Sequence, residues 1–251
     1  MKNPILPFLF FLKEIAWRIK LLLLLTIYRT TSNKIEFLNT LPFESLRRLA
    51  EFRSGLIKQE VCTFLKNNPK HNSKFQEWWF RHSNPEGIFD PSLKMFQKLI
   101  ELINNEKNIK TFVDLGCNMG EVVYKVSLLG LDAVGVDFPS VIQRIKLPIK
   151  TIPLDLNKKF PEGTYDIIFC REVFEHVNDP DDFLNRCREI AGPRTFLFLS
   201  CPYTSRHFKG NAFHLRVLSR DELITLLKYH GFKILEMFID RESNIVIAQK
   251  Q

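Results

Sequence analysis

The chain has 251 residues, a formal net charge of +8 and an apolar fraction of 45%. This length and composition suggest one α/β domain with a well-developed core, preceded by an N-terminal extension. Five cysteines occur without a C-x-x-C pair, and their odd number argues against a complete disulfide framework. We therefore expect free thiols in a reducing compartment.

The positive charge is concentrated in the first third of the chain. Residues 1–90 contain 14 Lys and Arg against 8 Asp and Glu, whereas residues 91–251 contain 22 against 20. The larger C-terminal part is therefore close to neutral, which argues against a basic nucleic-acid-binding face. We expect no nucleic-acid partner.

Residues 4–28 contain two apolar runs on either side of a charged segment at 13–20. Neither run reaches the ~18 residues that a membrane-spanning helix needs. Four charges in the middle of one span would cost roughly 2.5–3.5 kcal/mol each. We expect a helix or helical hairpin lying in a membrane interface, with Trp17 and the lysines among the lipid headgroups. The alternative is a helix buried in an oligomer or against another domain.

Residues 31–90 predict a helical extension without repeats or low-complexity tracts. Its aromatic cluster at 76–82 could form a lid over an acceptor pocket or pack onto the core, and packing is the simpler interpretation. We place the domain boundaries after residues 30 and 90. The main domain then comprises residues 91–251 and begins with a helix at 91–104.

Residues 111–120, Thr-Phe-Val-Asp-Leu-Gly-Cys-Asn-Met-Gly, predict a buried strand followed by a tight turn. β-Branched and aromatic residues favour a central strand, and Gly116 and Gly120 permit unusual dihedrals and the close approach of a ligand. Residues 121–129 then have apolar residues at helical spacing. A strand, a glycine turn and a helix start, in this order, are where open α/β sheets bind ligands.

A second predicted strand, residues 132–137, ends in Asp137, an acid suited to hold the two hydroxyls of a ribose. S-adenosylmethionine and nicotinamide dinucleotides both carry such a ribose. The turn lacks the G-x-G-x-x-G pattern that suits a pyrophosphate. Asp114, at the end of the first strand, would repel a pyrophosphate but attract a sulfonium or ammonium group. These residues favour S-adenosylmethionine.

Asp114, Gly116 and Gly120 resemble the acid-x-Gly-x-Gly-x-Gly motif of class I S-adenosylmethionine-dependent methyltransferases, with Asn118 replacing the middle glycine. Asn tolerates left-handed dihedrals better than most other residues. The resemblance covers residue 89 to the C-terminus. It implies a Rossmann-like α/β fold with a seven-stranded, mostly parallel sheet, helices on both faces and an antiparallel last strand. It also implies S-adenosyl-L-methionine as the cofactor.

The remaining segments continue this pattern. We expect helices at residues 139–145 and 181–190, and a third helix that starts at a capping box formed by Ser219 and Glu222. We expect further strands at residues 150–155, 160–170, 194–201, 232–239 and 244–249, of which the last two form a terminal hairpin.

Residues 171–180, Arg-Glu-Val-Phe-Glu-His-Val-Asn-Asp-Pro, resemble the fourth motif of the family, in a form close to that of the ubiquinone-pathway O-methyltransferases. Glu172, His176 and the later His214 are our catalytic candidates, because an imidazole can take a proton from an acceptor hydroxyl. Together with Glu175, they also resemble the metal site of the small-RNA 3′-end 2′-O-methyltransferases. A helix-start and packing role for Glu175 and His176 is the simpler alternative, and we assign no metal.

The resemblance implies that the cofactor site draws on the glycine turn, the ends of three strands and the residues that follow them. Asp155 and Leu156 occupy the position that contacts the adenine amino group in the family. For the thiols of Cys117 and Cys170 we prefer small buried packing to reactivity. The full predicted cofactor-binding set is Asp114, Gly116, Cys117, Asn118, Gly120, Asp137, Phe138, Asp155, Leu156 and Cys170.

The expected function is O-methylation of a hydrophobic or lipid-linked small-molecule acceptor. The expected location is the cytoplasm, with peripheral attachment to the inner face of a membrane through residues 4–28. Two alternatives stay open: a metal-assisted RNA 2′-O-methyltransferase, and a non-catalytic scaffold that binds the cofactor.

Overall fold

The computed structural model describes residues 92–203 and 214–251 continuously and, nearer the N-terminus, residues 22–28, 32–42, 44–46, 60–61 and scattered single positions. The chain divides into two compact units, residues 1–71 and 72–251. The boundaries expected after residues 30 and 90 stay predictions. The aromatic cluster at 76–82 and the first apolar run of residues 4–28 lie largely or wholly outside the described residues.

The second unit contains one seven-stranded sheet. Its strands are β1 (Thr111–Leu115), β2 (Asp132–Asp137), β3 (Lys150–Pro153), β4 (Tyr165–Arg171), β5 (Ala191–Pro202), β6 (Phe232–Asp240) and β7 (Ser243–Lys250). The spatial order is β3-β2-β1-β4-β5-β7-β6, and β7 runs antiparallel to both of its neighbours. The predicted fold class is confirmed.

In the part of the chain that the structure describes, six helices have defined bounds, five in the second unit and one in the first, and residues 22–28 of the first unit are also helical. The six helices with defined bounds are α1 (Lys34–Thr40), α2 (Lys94–Asn105), α3 (Glu121–Leu128), α4 (Pro139–Ile142), α5 (Pro180–Glu189) and α6 (Arg220–Tyr229). The capping box at the start of α6 is present, with Ser219 and Glu222 bonding reciprocally. It satisfies amide groups that the first helical turn leaves without partners.

Alternating side chains of the central strands fill two apolar cores. Val113 of β1 packs in the same core as Phe174 and Phe183, whereas Phe112 packs in the other core with Phe96. Successive side chains of a strand point to opposite faces, so a strand buried on both faces is apolar along its length. Such burial fixes the carboxyl ends of the strands and the loops that leave them.

The sheet reverses its order of strand addition beside β1. The chain moves from β1 outward to β2 and β3, and then returns to place β4 on the other side of β1. Open α/β sheets bind ligands at such a switch point, beyond the carboxyl ends of the strands. The crevice between the ends of β1 and β4 is therefore the expected position of a ligand-binding site.

Several predicted elements are longer than the observed ones. The strand expected from residue 160 begins at Tyr165, since Pro161 and Gly163, with φ of +103°, lie in a turn before it. The strand expected to reach residue 155 ends at Pro153, because proline cannot donate to the ladder. The helix expected to reach residue 145 ends at Ile142.

In the first unit, a buried tyrosine connects separate helical segments. The Tyr28 hydroxyl donates to Glu60 Oε2 at 2.6 Å, and Lys34 Nζ donates to Glu60 Oε1 at 2.9 Å. The Lys34 ammonium also lies over the Tyr28 ring, 5.2 Å from its centroid. Among the described helices, none is both long enough and apolar enough to cross a membrane.

Candidate active site

The turn between β1 and α3 holds three residues in the left-handed backbone region. Gly116, Asn118 and Gly120 have φ angles of +82°, +48° and +76°. A Cβ on Gly116 would lie 2.2 Å from Val173 Cγ2, and one on Gly120 would lie 2.1 Å from Ile149 Cδ1. The backbone conformation therefore favours glycine at both positions, and a side chain at either one would displace a neighbour, whereas asparagine enters the left-handed region readily.

Asp137 ends β2 directly beside this turn. Its Oδ2 accepts a hydrogen bond from the Asn118 backbone N–H at 2.8 Å, and its Oδ1 accepts one from the Phe138 N–H at 2.7 Å. These bonds orient the carboxylate, and each oxygen keeps a further lone pair for a ligand. Burial raises the pKa of Asp137 to about 6, while the two N–H groups oppose that rise.

A cavity of about 290 Å³ opens beyond the carboxyl ends of β1, β2 and β4. We name it the first cavity. The predicted site residues that line it are Gly116, Asn118, Asp137, Phe138, Leu156, Glu172 and His176. The lining residues outside the predicted site are Leu154, Asn157, Arg171, Val173 and Val177. Each of these lies within a few residues of a predicted one. The sequence feature that could have identified them is their position just after the end of a parallel strand.

Asp114 does not line the first cavity but is buried in β1 beneath the turn. Burial and the nearby charge of Asp137 raise the pKa of Asp114 to about 8, and the Arg171 guanidinium opposes this shift. Two acids with raised pKa values therefore lie close together beside the cavity, an arrangement that a positively charged ligand would stabilise.

The other predicted residues lie around the cavity without lining it. The Asp155 carboxylate accepts the Asn157 N–H at 3.0 Å and pairs with Lys158 Nζ at 2.9 Å. The thiols of Cys117 and Cys170 are buried, and burial raises the pKa of both above the usual thiol range. Their environment suits neutral packing groups better than nucleophiles.

Glu172 follows β4 in a strained backbone conformation, with a φ of +54°. The Ser200 hydroxyl accepts from the Glu172 N–H at 2.9 Å and donates to Glu172 Oε1 at 2.8 Å. One hydroxyl at the end of β5 therefore fixes both the backbone and the carboxylate of Glu172. Strain of this kind is concentrated at functional sites, because only a surrounding structure that demands it can maintain it.

Glu175, His176 and His214 form a buried cluster whose candidate ligand atoms all lie within 4.8 Å of one another. Each imidazole Nε2 lies 3.8 Å from Glu175 Oε1. Burial, followed by the charge of Glu172, raises the pKa of Glu175 well above its usual range. Only His176 of the three lines the first cavity, so His214 lies behind it.

Arg216 attaches the segment after residue 214 to the loop that carries these side chains. Its guanidinium donates to the carbonyl oxygens of Phe174 at 2.6 Å and Asn178 at 3.1 Å. The Leu215 N–H donates to the Glu175 carbonyl at 2.7 Å. These three bonds fix the path of residues 174–178, and hence the position of His176.

Comparison with known proteins agrees with this architecture. The family model described as a methyltransferase domain matches residues 50–237, about three quarters of the chain. A ubiquinone biosynthesis O-methyltransferase from Acinetobacter baylyi is 25% identical over 154 residues, covering 54% of this chain and 63% of that protein. The enzyme of the same name from Albidiferax ferrireducens is 24% identical over 180 residues, covering 66% and 70%. The chain thus spans less than two thirds of the Acinetobacter relative.

Solved structures share the fold at low sequence identity. The N-methyltransferase NodS from Bradyrhizobium japonicum, in complex with S-adenosyl-L-homocysteine, has a TM-score of 0.56 at 14% identity, covering 71% of this chain and 98% of its own. The magnesium protoporphyrin IX methyltransferase from Synechocystis, with the same molecule bound, has a TM-score of 0.52 at 16% identity, covering 71% and 95%. The chain belongs to the methyltransferase domain family, with the fold of the class I S-adenosylmethionine-dependent methyltransferases.

Proposed function

We propose that this protein transfers the methyl group of S-adenosylmethionine to a hydroxyl of a hydrophobic small molecule. The observation that supports this most directly is the oriented carboxylate of Asp137 at the first cavity. A carboxylate there can accept hydrogen bonds from both ribose hydroxyls of the cofactor. Gly116, which has no side chain, leaves the cofactor room to approach the backbone.

The lining of the first cavity suggests how the rest of the cofactor binds. Leu154, Leu156 and Val177 offer an apolar surface for the adenine ring, and the Asn157 amide can bond to its edge. Asp114, buried beneath the turn, stabilises the positive charge of the sulfonium and ammonium groups. Asp155, Cys117, Gly120 and Cys170 would then shape the site without touching the cofactor through their side chains.

The proposed reaction is a direct displacement at the methyl carbon. A lone pair of the acceptor oxygen forms the new O–C bond while the electron pair of the S–C bond returns to sulfur, leaving neutral S-adenosylhomocysteine. The hydroxyl proton passes to Glu172 or His176, the two proton acceptors that line the first cavity beyond β4. Alignment of the reacting atoms within ~3–3.5 Å supplies much of the acceleration. His214 supports His176 from behind, through Glu175.

The acceptor class is inferred from the relatives and from the N-terminal segment. The curated relatives are named for ubiquinone biosynthesis, which supports a hydrophobic acceptor with a hydroxyl group. Leu22, Leu23 and Ile27 lie on one helical face and are exposed by 64%, 59% and 47%. This apolar face, in the basic part of the chain, supports attachment of residues 4–28 to the cytosolic face of a membrane, close to a lipid-linked acceptor.

Product formation tests this proposal. The full-length protein is incubated with S-adenosylmethionine and butylcatechol, a phenolic probe with a short apolar tail. We expect equal amounts of S-adenosylhomocysteine and methoxyphenol by mass spectrometry, with a rate roughly 10²-fold or more lower in Glu172→Gln if this carboxylate takes the proton. A protein that binds S-adenosylhomocysteine yet forms no methylated product would be the cofactor-binding scaffold.

Metal-assisted 2′-O-methylation of RNA is a second candidate, which the cluster of Glu175, His176 and His214 favours. One carboxylate and two imidazoles suit a divalent cation, and among the described residues no hydrogen-bond donor reaches either oxygen of Glu175. Such an ion would polarise the acceptor hydroxyls. Metal analysis of protein purified without chelators, followed by assays with a short RNA and with butylcatechol, separates the candidates. A metal-free protein that methylates only butylcatechol would contradict the metal-assisted RNA reaction.

A further inference from the structure

A second cavity, of about 330 Å³, lies on the other side of Arg171 and Glu172 from the first cavity. These two residues line both cavities and so form a common wall between them. The second cavity is bounded by the start of α2 and by the turn that joins β6 to β7. Among the described residues, Arg171 and Glu172 are the ones that both linings share, so the two cavities adjoin at these side chains.

The common wall has a fixed geometry. The strained backbone of Glu172 and its two bonds with Ser200, which also lines the second cavity, hold the carboxylate at the junction. The guanidinium of Arg171 lies over the Phe96 ring, 5.3 Å from its centroid. A second ligand that approaches the ligand of the first cavity from the second cavity therefore contacts the Glu172 carboxylate at a defined position.

The lining of the second cavity suits a neutral ring that carries hydroxyl groups. Leu93, Met95 and Ile245 form an apolar surface, whereas the facing turn contributes side chains of both charge signs. The Asp240 carboxylate in that turn already accepts the Lys94 N–H at 2.7 Å. A cavity that contains both charge signs does not select an ion of either sign, and its volume of about 330 Å³ accommodates a six-membered ring.

We propose that the second cavity binds the phenolic ring of the methyl acceptor, with its hydroxyl donating to the Glu172 carboxylate. This inference rests on the proposed methyltransferase function and specifies where the acceptor enters. On transfer, the phenol oxygen gains the methyl carbon, the S–C electron pair stays on sulfur and the phenol proton moves to Glu172. The cofactor and the acceptor thus occupy adjoining cavities whose linings share one carboxylate, and their reacting atoms meet beside that carboxylate.

Filling the second cavity tests the proposal. Ser243 lines it from the β6–β7 turn and Leu93 from the start of α2, so Ser243→Trp and Leu93→Trp each occlude it from a different wall. Ile234→Trp is the matched control, because Ile234 lines another cavity, of about 430 Å³, beside α6 and β6. Thermal unfolding identifies which variants fold. Calorimetry then measures two affinities: that for S-adenosylhomocysteine, and that of the S-adenosylhomocysteine complex for butylcatechol.

We expect the two occluding variants to bind S-adenosylhomocysteine like the wild type, but to bind butylcatechol about tenfold or more weakly, which corresponds to about 1.4 kcal/mol. The control should bind both normally. Occluding variants that bind and methylate butylcatechol normally would overturn this inference and leave the proposed function intact. A wild-type protein that binds S-adenosylhomocysteine but not butylcatechol would overturn the phenol assignment. One that binds neither would overturn the proposed function itself.

Discussion

At the scale of single residues, the candidate site depends on positions where the backbone adopts conformations that most side chains disfavour. Gly116, Asn118 and Gly120 form the turn after β1, and Glu172 holds the corresponding place after β4. Local strain of ~1–3 kcal/mol persists only where the surrounding fold imposes it. Three of these four residues, Gly116, Asn118 and Glu172, line the first cavity.

Gly116→Ala should weaken S-adenosylhomocysteine binding by at least about tenfold. The new methyl group clashes with a neighbouring side chain, and the left-handed backbone conformation costs a further ~1–3 kcal/mol in alanine. The Cβ would lie 2.2 Å from Val173 Cγ2. Gly130→Ala is the matched control, since Gly130 also has a positive φ but no atom within 4 Å of its Cβ position. Calorimetry compares the two. Equal affinities would place the cofactor away from this turn.

The affinity for S-adenosylmethionine should rise with pH between 6 and 8. In the protein without ligand, the pKa values of Asp137 and Asp114 are raised to about 6 and about 8, so lowering the pH protonates first Asp114 and then Asp137. The sulfonium favours the ionised acids, so binding must release protons, and the affinity falls as the pH falls. We expect roughly a tenfold change across this interval, or about 1.4 kcal/mol.

Calorimetry in buffers of different ionisation enthalpy measures the released protons directly. Asp114→Asn should remove most of the release near pH 8, and uncharged-sulfur S-adenosylhomocysteine should show a weaker dependence. Binding of S-adenosylmethionine that releases no protons and is independent of pH would separate these acids from the cofactor.

At the scale of elements, much of the fold follows from the sequence, whereas the walls of the site do not. Strand β2 has its predicted ends, 132 and 137, and β1 begins at its predicted first residue, because runs of apolar and β-branched residues mark both strands. The predicted start of β4 and the predicted end of β3 lie outside the observed strands, because Pro161, Gly163 and Pro153 interrupt strand pairing.

The contact between Arg216 and the loop after β4 had no local sequence signal. The two segments are about 40 residues apart. Arg216 bonds to backbone carbonyl oxygens, which every residue has, so the side chains of the loop do not indicate this contact. The second cavity is equally non-local, because its walls come from α2, β4, β5 and the β6–β7 turn. Such features depend on tertiary packing, which the hydrophobic periodicity of the sequence does not predict.

Arg216→Met should lower turnover of butylcatechol more than it lowers S-adenosylhomocysteine affinity. The substitution removes charge-assisted bonds worth roughly 1.5–3 kcal/mol each from a half-buried position, so the loop bearing His176 would lose its fixed position. The unfolding midpoint should also fall, by at least about 2–4 °C for each kcal/mol lost.

Arg186→Met is the matched control for Arg216→Met. Arg186 also donates to a backbone carbonyl, that of Lys158 at 2.8 Å, and also lies over a phenylalanine ring, 5.9 Å from the Phe160 centroid. It does not contact the loop that follows β4. Equal loss of turnover in the two variants would mean that Arg216 contributes only to general stability.

At the scale of the whole molecule, the chain combines a near-neutral methyltransferase unit with a basic N-terminal part. Our proposal that the N-terminal part attaches to a membrane surface, while the larger unit performs the chemistry, rests on the charge distribution and on the exposed face at Leu22, Leu23 and Ile27. A membrane-attached enzyme would meet a hydrophobic acceptor where that acceptor is most concentrated.

Replacing Leu22, Leu23 and Ile27 together by serine should reduce binding to anionic vesicles by at least about tenfold. Each apolar side chain contributes roughly 1.5–3 kcal/mol when it is fully buried, and about 1 kcal/mol per basic residue would remain. The matched control replaces Leu128 and Leu129, which are exposed by 64% and 42% in the larger unit. A flotation assay compares the wild type, the triple variant and the control. Unchanged vesicle binding by the triple variant would mean that this face contacts protein and not lipid.

The central claim, that the first cavity binds the methyl donor through Asp137, is tested most directly by titrating the protein with S-adenosylhomocysteine in a calorimeter. We predict one site per chain in the wild type and an affinity about tenfold or more lower in Asp137→Ala, since charge-assisted bonds to the ribose contribute roughly 1.5–3 kcal/mol. Asp132→Ala, at the exposed start of the same strand, should bind like the wild type. Absence of binding by the wild type, or an Asp137→Ala variant with wild-type affinity, would contradict the claim.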